Sequence, residues 1–169
     1  MATEEGVDQM EYAKILLSAY PNLGRFIKAA NDNYLRRCLN SAYFSEPTET
    51  FAAGVLNLLD ERRKLVDLKE KLDLLFSRLS DEERQLIKFK YAGIMPKNKF
   101  DFSLRTYFRK QIKLLEKVKT YLNYLNITEE VFKREYLGVA YFKIYADTVK
   151  NTARKKNDSR VLSVIKKAS

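Results

Sequence analysis

The chain contains no histidine, and Cys38 is its single cysteine among 169 residues. A lone cysteine excludes a disulfide within the chain, and a conventional zinc site would lack both of its usual ligand types. Cys38 lies in a segment with helical apolar spacing, which favours a small core residue over a reactive thiol. The sequence therefore predicts no metal centre, no redox chemistry and no cofactor.

Glycine and proline are also scarce, with 5 and 3 residues respectively. Turn-forming residues cluster at a few places, whereas an all-β chain would need them about every ten residues. Leucine, lysine, glutamate, alanine and arginine are frequent, and all of them favour helices. The sequence predicts an all-α protein of about six helices.

No stretch approaches the roughly eighteen apolar residues that a membrane-spanning helix needs. The N-terminus has Glu4, Glu5 and Asp8 where a secretory signal would have basic residues followed by an apolar run. We expect a cytoplasmic protein with no membrane partner.

Recognisable catalytic motifs are missing as well. The sequence has no glycine-rich phosphate loop, no Gly-x-Ser-x-Gly elbow and no carboxylate-rich metal motif. Without histidine, acid–base chemistry would fall to Asp, Glu, Lys or Tyr. Helix capping explains the acidic trio Asp81, Glu82 and Glu83 better than metal binding does. We expect a binding protein and not an enzyme.

Apolar residues recur at helical spacing over six segments. The predicted helices cover residues 8–19, 22–39, 48–80, 80–91, 101–125 and a last long helix from 128 onward. Asp8, Ser80 and Thr128 can each cap the start of one helix. Gly93 can end the helix that begins at Ser80. We therefore expect an N-terminal helical part with a long central helix (1–79), a basic part that contains a helical hairpin (80–150), and a basic tail (151–169).

Several apolar side chains are expected to face the core. Leu35 and Cys38 belong to the inward face of the second helix, and Tyr43 and Phe44 of the next connector should contact the core. The inward stripe of the helix near residue 101 is Leu104, Phe108, Leu115, Val118, Leu122 and Leu125.

The long central helix has large apolar residues at seven-residue spacing. They are Phe51, Leu58, Leu65, Leu72 and Leu79, with Leu68 and Leu75 at the complementary positions of the second half. Gly54 and Glu61 interrupt the pattern in the first half. This seam can pack on helices of the same chain, or it can pair with a second copy as a homodimer or with another protein.

The net charge of +10 is unevenly distributed. Residues 1–60 contain 5 basic and 8 acidic residues, residues 61–100 contain 11 and 7, and residues 101–169 contain 16 and 7. A basic C-terminal half is typical of a protein whose one end meets a polyanion.

The cations of the helix near residue 101 follow a pattern of their own. Arg105, Arg109 and Lys113 recur at spacing four, so they share one face over about two turns. Such a face can follow phosphates or lie at the edge of a major groove, and the helix start at Asp101 or Ser103 could hold a further phosphate. The same cations could instead keep a surface helix soluble.

Two passages resemble a known DNA-binding element. The run Leu79-Ser-Asp-Glu-Glu-Arg-Gln-Leu-Ile-Lys-Phe-Lys-Tyr91 is similar to the opening helix of region four of bacterial sigma factors and of sigma-like phage and mobile-element regulators. The later run Phe102-Ser-Leu-Arg-Thr-Tyr-Phe-Arg-Lys-Gln-Ile-Lys-Leu-Leu-Glu-Lys117 resembles the recognition helix of that family. Between them, Gly93 to Phe100 with Pro96 is too short for a complete helix-turn-helix, which makes the motif degenerate.

The resemblance implies that one face of the recognition helix meets DNA while Leu104 and Phe108 lie in the core. The implied contacts are Ser103, Arg105, Thr106, Arg109 and Lys110, to which the charge pattern adds Lys113. The sequence thus predicts a transcription-related regulator that binds double-stranded DNA. The alternative is a non-enzymatic helical adaptor that binds a protein partner such as RNA polymerase.

Overall fold

A computed structural model describes residues 11–40, 45–153 and 159–165. The helices are α1 Glu11–Ala19, α2 Leu23–Leu39, α3 Thr48–Ser77, α4 Asp81–Ala92, α5 Leu104–Tyr124, α6 Glu129–Glu135, α7 Ala140–Ala153 and α8 Ser159–Val164. A 3-10 turn, Tyr20–Asn22, joins α1 to α2. The described residues form no strand, so the predicted all-α class is confirmed. The predicted cap Asp8 and the predicted core contacts Tyr43 and Phe44 lie outside the described residues.

The chain divides into two compact units. The first contains Met1–Ala19 and Leu74–Ser169, and the second contains Tyr20–Asp73. This division differs from the expected one at residue 80, because α1 packs against α4, α5 and α7 and so joins the C-terminal part. None of the helices in the described ranges is long and apolar enough to cross a membrane.

The core of the first unit is built around α1, whose inner face is almost wholly buried. The ring of Tyr12 lies 6.2 Å from that of Phe132, and the Phe132 ring is 6.0 Å from Phe142. The Tyr12 hydroxyl donates a hydrogen bond to Oδ1 of Asn123 at 3.3 Å. One short helix thus brings together α5, α6 and α7.

The predicted last long helix is wrong, since the chain forms two helices there. Thr128 does cap α6, because its hydroxyl accepts from the amide of Val131 at 3.3 Å. The helix ends at Glu135, and a turn over 136–139 that contains Gly138 precedes α7. Tyr136 and Phe142 flank this turn and are both buried, with rings 6.1 Å apart. A straight helix would not bring both rings to the same core, so packing breaks it.

The seam of the long helix is buried in its second half. Leu65, Leu68, Leu72, Leu75 and Leu79 are all at most 3% exposed, which favours packing within the chain over this half. Phe51 and Leu58 of the first half are half-buried. Any pairing with a second copy would therefore have to use the first half of α3.

In the second unit, Arg37 joins the end of α2 to the start of α3. Its Nη2 lies 2.5 Å from Oε1 of Glu46, and its guanidinium lies over the Phe51 ring at 5.3 Å from the centroid. A Cβ at Gly54 would come within 2.6 Å of Nη2, so the glycine lets the guanidinium lie against the α3 backbone. Leu35, which was expected to face the core, is 44% exposed, and Cys38 is half-buried.

Replacing Arg37 by alanine should lower the free energy of unfolding by about 1–2 kcal/mol, because the variant loses a partly buried ion pair and a cation–π contact. Urea denaturation measures the change. Arg36→Ala is the matched control, since Arg36 is exposed one residue earlier in the same helix. Equal losses for the two variants would contradict this role for Arg37.

Candidate nucleic-acid interface

Ser103, one of the two predicted caps, is the N-cap of helix α5. The Ser103 hydroxyl accepts a hydrogen bond from the amide of Thr106 at 3.3 Å, and the two hydroxyl oxygens lie 3.1 Å apart. This cap satisfies one of the free amides at the helix start and leaves Ser103 itself exposed. The N-terminal end of α5 is therefore well defined and open to solvent.

Helix α4 is defined equally well at both ends. The Ser80 hydroxyl accepts from the amide of Glu83 at 3.2 Å, and the Ser80 amide donates to the Glu83 carboxylate at 2.8 Å. Gly93 ends the helix in the left-handed conformation with φ 67°. The predicted capping box and the predicted glycine stop are both confirmed.

The two helices run antiparallel. Near the start of α4, the carboxylate of Glu83 accepts from Nζ of Lys117 at 2.7 Å, well along α5. Near the end of α4, the Phe89 ring lies 6.3 Å from that of Tyr107, close to the start of α5. The pair is thus a helical hairpin with a long connector. The sequence had not predicted this hairpin, because the expected one joined α5 to the helix after residue 128.

Residues 93–103 between the two helices form no helix. Phe100 lies at the centre of this connector, and its amide donates to the carbonyl of Val164 at 2.7 Å. The Phe100 side chain is buried, with its ring 6.3 Å from that of Phe89 and 6.3 Å from that of Tyr107. The connector between α4 and α5 is therefore a loop that one buried phenylalanine anchors.

The core-facing side of α5 differs from the expected one at its N-terminal end. Leu104 and Phe108 were expected in the core, yet they are 39% and 48% exposed, whereas Tyr107 is 0% exposed. The Tyr107 ring packs against Phe89 and Phe100, and this contact determines the rotation of the helix. Farther along, Leu115, Val118 and Leu122 are buried as predicted.

Three of the predicted contact residues lie on one exposed line. Arg105, Arg109 and Lys113, called the cationic line below, are all exposed. None of them forms an ion pair with another residue of the described ranges. Their charges are therefore available to a ligand.

Two of the other three predicted contacts, Lys110 and Thr106, already have partners within the chain. Nζ of Lys110 donates to the carboxylate of Glu82 and lies 4.8 Å from the centroid of the Phe102 ring. Thr106 is half-buried and hydrogen-bonds to Ser103. Lys110 and Thr106 thus stabilise the hairpin and the helix start, which leaves the cationic line and Ser103 as the open part of the surface.

Lys117 and Ser80 together lower the pKa of Glu83. Burial on its own would raise the pKa of Glu83, but the hydrogen bonds from Lys117 and from Ser80 outweigh it and hold the pKa below its usual value. A lowered pKa in the folded state stabilises the fold above the unfolded pKa of about 4.3, and this stabilisation is lost as the pH falls through the folded value.

Glu83→Gln should therefore lower the free energy of unfolding by about 1 kcal/mol at pH 7, since the ion pair with Lys117 is lost. The difference from the unmodified protein should shrink as the pH falls through the lowered pKa of Glu83, because the carboxylate is then protonated and the ion pair is lost. Denaturation at a series of pH values measures both effects. Glu82→Gln is the control, because Glu82 is the more exposed carboxylate; a larger loss from this variant would contradict the assignment.

A separate apolar cavity of about 230 Å³ lies between the end of α3 and the end of α5. Its lining includes Leu74, Leu75, Tyr121, Tyr124 and Leu125, with Arg78 as its charged member. Within the described ranges, no group of three or more cysteine or acidic side chains could hold a metal ion.

Comparisons with protein-family models, with curated proteins and with solved structures find no match for this chain. The resemblance to sigma region four therefore stays a prediction that depends on the two quoted passages.

Proposed function

We propose that this protein binds double-stranded DNA through the cationic line of α5 and acts as a transcription-related regulator of bacterial or phage type in the cytoplasm. The observation that supports it is the exposure of Arg105, Arg109 and Lys113 on one face, without ion pairs to other described residues. The line spans about 12 Å along the helix, which is comparable to the width of a major groove.

The three cations differ in what they can contribute. The guanidinium groups of Arg105 and Arg109 can each donate two parallel hydrogen bonds, either to a phosphate or to the O6 and N7 atoms of guanine. Lys113 supplies a compact charge for a phosphate farther along the backbone. Ser103 and the free amides of the first turn can hold one more phosphate, with support from the helix dipole.

A gel-shift with random duplex DNA over a series of salt concentrations tests the proposal. We expect binding at low salt and a plot of log K against log salt with a slope of about −2.7, if three phosphates are neutralised. No binding at low salt would refute DNA binding. If the slope of log K against log salt were near zero, the protein–DNA complex would not depend on contacts between cations and phosphates.

The second candidate is a helical adaptor that binds a protein partner such as RNA polymerase. One observation favours it. Helix α5 exposes the apolar side chains Leu104, Phe108 and Ile112, which a protein partner can bury and which the charged backbone of duplex DNA does not contact favourably. A homodimer through the first half of the long helix is a third candidate, and a monomeric mass at micromolar concentration would exclude it. The gel-shift separates the two candidates, because an adaptor should bind little DNA at physiological salt.

A further inference from the structure

Helix α5 exposes a second line of side chains beside the cationic line. Leu104, Phe108 and Ile112 recur at the same spacing of four, and they are 39%, 48% and 59% exposed. We call them the apolar line. Three large apolar side chains next to one another form a contiguous patch, which marks an interaction site more often than a single exposed leucine does.

The position of the apolar line on the helix is informative. An α-helix turns about 100° per residue, so the apolar line lies about 100° from the cationic line. On its other side, about 100° away, is the buried line of Tyr107, Leu114 and Val118. The apolar line thus occupies the flank of α5, between its outermost side and its buried side.

The same flank is covered farther along the helix. Leu115 and Leu122 lie within about 40° of the centre of the apolar line, and both are buried. Helix α1 packs against α5, and the hydrogen bond from Tyr12 to Asn123 belongs to this contact. The chain therefore covers the C-terminal part of the flank and leaves the first two turns exposed.

The shape of this surface discriminates between ligands. A flat or broadly convex ligand, such as a membrane or the backbone of a duplex, would meet the outermost side of α5, where the cationic line lies. Covering the flank requires an element that lies alongside α5, as one helix packs against another. The ligand must also tolerate three positive charges at one edge.

We propose that the apolar line is the docking surface for an amphipathic helix of a protein partner, whose acidic residues lie beside its own apolar stripe. The apolar stripe of that helix would cover Leu104, Phe108 and Ile112. Its carboxylates would meet Arg105 and Arg109, in bidentate pairs where the geometry allows. Charge complementarity thus selects an acidic partner helix over a neutral or basic one.

A second copy of this chain does not fit the same surface. Two α5 helices that paired through their apolar lines would bring two cationic lines close together, and like charges at an interface repel each other. The occupant is therefore a different protein. This inference rests on the adaptor candidate and names the class of its partner.

One consequence links the two proposed ligands. The acidic partner helix and duplex DNA would both require Arg105 and Arg109, so each should weaken the binding of the other. A partner of this class would release the protein from DNA. The apolar line itself contributes only to partner binding.

A labelled peptide tests the proposal on the full-length protein. The probe is a helical peptide of about 16 residues with leucines at positions i, i+3 and i+7 and glutamates along one flank. Fluorescence anisotropy should show binding of this peptide. A scrambled peptide of the same composition should bind at least about tenfold more weakly, because it lacks a continuous apolar stripe.

Two variants locate the peptide on α5. Phe108→Ser with Ile112→Ser should weaken peptide binding at least about tenfold and leave the affinity for duplex DNA unchanged. Leu56→Ser is the matched control, because Leu56 is 64% exposed in the first half of α3. The double variant Arg105→Glu, Arg109→Glu should no longer bind the acidic peptide. It should bind a peptide in which lysines replace the glutamates.

Three results would overturn the proposal: no binding of the acidic peptide at about 1 mM, equal binding of the scrambled peptide, or unchanged peptide affinity in the Phe108 and Ile112 double variant. If that double variant instead lost affinity for a single-stranded oligonucleotide, the apolar line would be a base-stacking surface and the proposal would also fail. None of these results bears on duplex binding, which the gel-shift measures separately.

Discussion

Replacing Tyr107 by alanine is expected to lower the free energy of unfolding by about 3–5 kcal/mol, the largest stability effect that we predict for this chain. The side chain is 0% exposed, and its ring lies 6.3 Å from those of both Phe89 and Phe100. Its removal would leave a cavity where α4, α5 and their connector meet. Urea denaturation or a thermal melt measures the loss.

Phe108→Ala is the matched control, since it removes an adjacent aromatic ring that is 48% exposed. We expect this variant to lose less than about 1 kcal/mol. If Phe108→Ala cost as much as Tyr107→Ala, the side of α5 that faces the core would be the one implied by the sigma resemblance, and the exposed apolar line would not exist.

Replacing Arg105 and Arg109 together by alanine should weaken binding to duplex DNA about 30- to 100-fold at low salt without a change in unfolding free energy. Each arginine contributes a charge-assisted contact worth roughly 1–1.5 kcal/mol, and both side chains are exposed, so the core is untouched. Gel-shift titration measures the affinity, and circular dichroism checks the fold.

The control for this pair is Lys110→Ala with Lys117→Ala, which removes the same number of charges from the same helix. These two lysines pair with Glu82 and Glu83, so their loss should cost stability more than DNA affinity. Equal losses of DNA affinity in the two double variants would show that only net charge matters and that the cationic line has no special role.

The local signals of the sequence predicted the helix ends well. The capping box at Ser80, the cap at Ser103 and the glycine stop at Gly93 involve residues within a few positions of one another. Such contacts depend little on the rest of the fold, because the hydrogen bonds close within one turn. The spacing of Arg105, Arg109 and Lys113 is equally local, and their shared exposed face is confirmed.

The errors arose where distant residues decide the outcome. Tyr107 and Phe108 are adjacent aromatic residues, and the one that is buried packs against Phe89 and Phe100, which are distant in sequence or lie in the preceding loop. The exposure of the apolar line was not predicted for the same reason. Its signal is present in the sequence, because Ile112 continues the spacing of four between Leu104 and Phe108. Similarly, the turn between α6 and α7 depends on ring packing and not on a proline.

The most direct test of DNA binding by the cationic line is the salt dependence of affinity, compared between the unmodified protein and the Arg105→Ala, Arg109→Ala double variant on one random duplex. Two lost phosphate contacts should make the slope of log K against log salt shallower by about 1.8, whereas the Lys110 and Lys117 control should keep the original slope. Identical slopes for all three proteins, or no binding by the unmodified protein at low salt, would contradict the account.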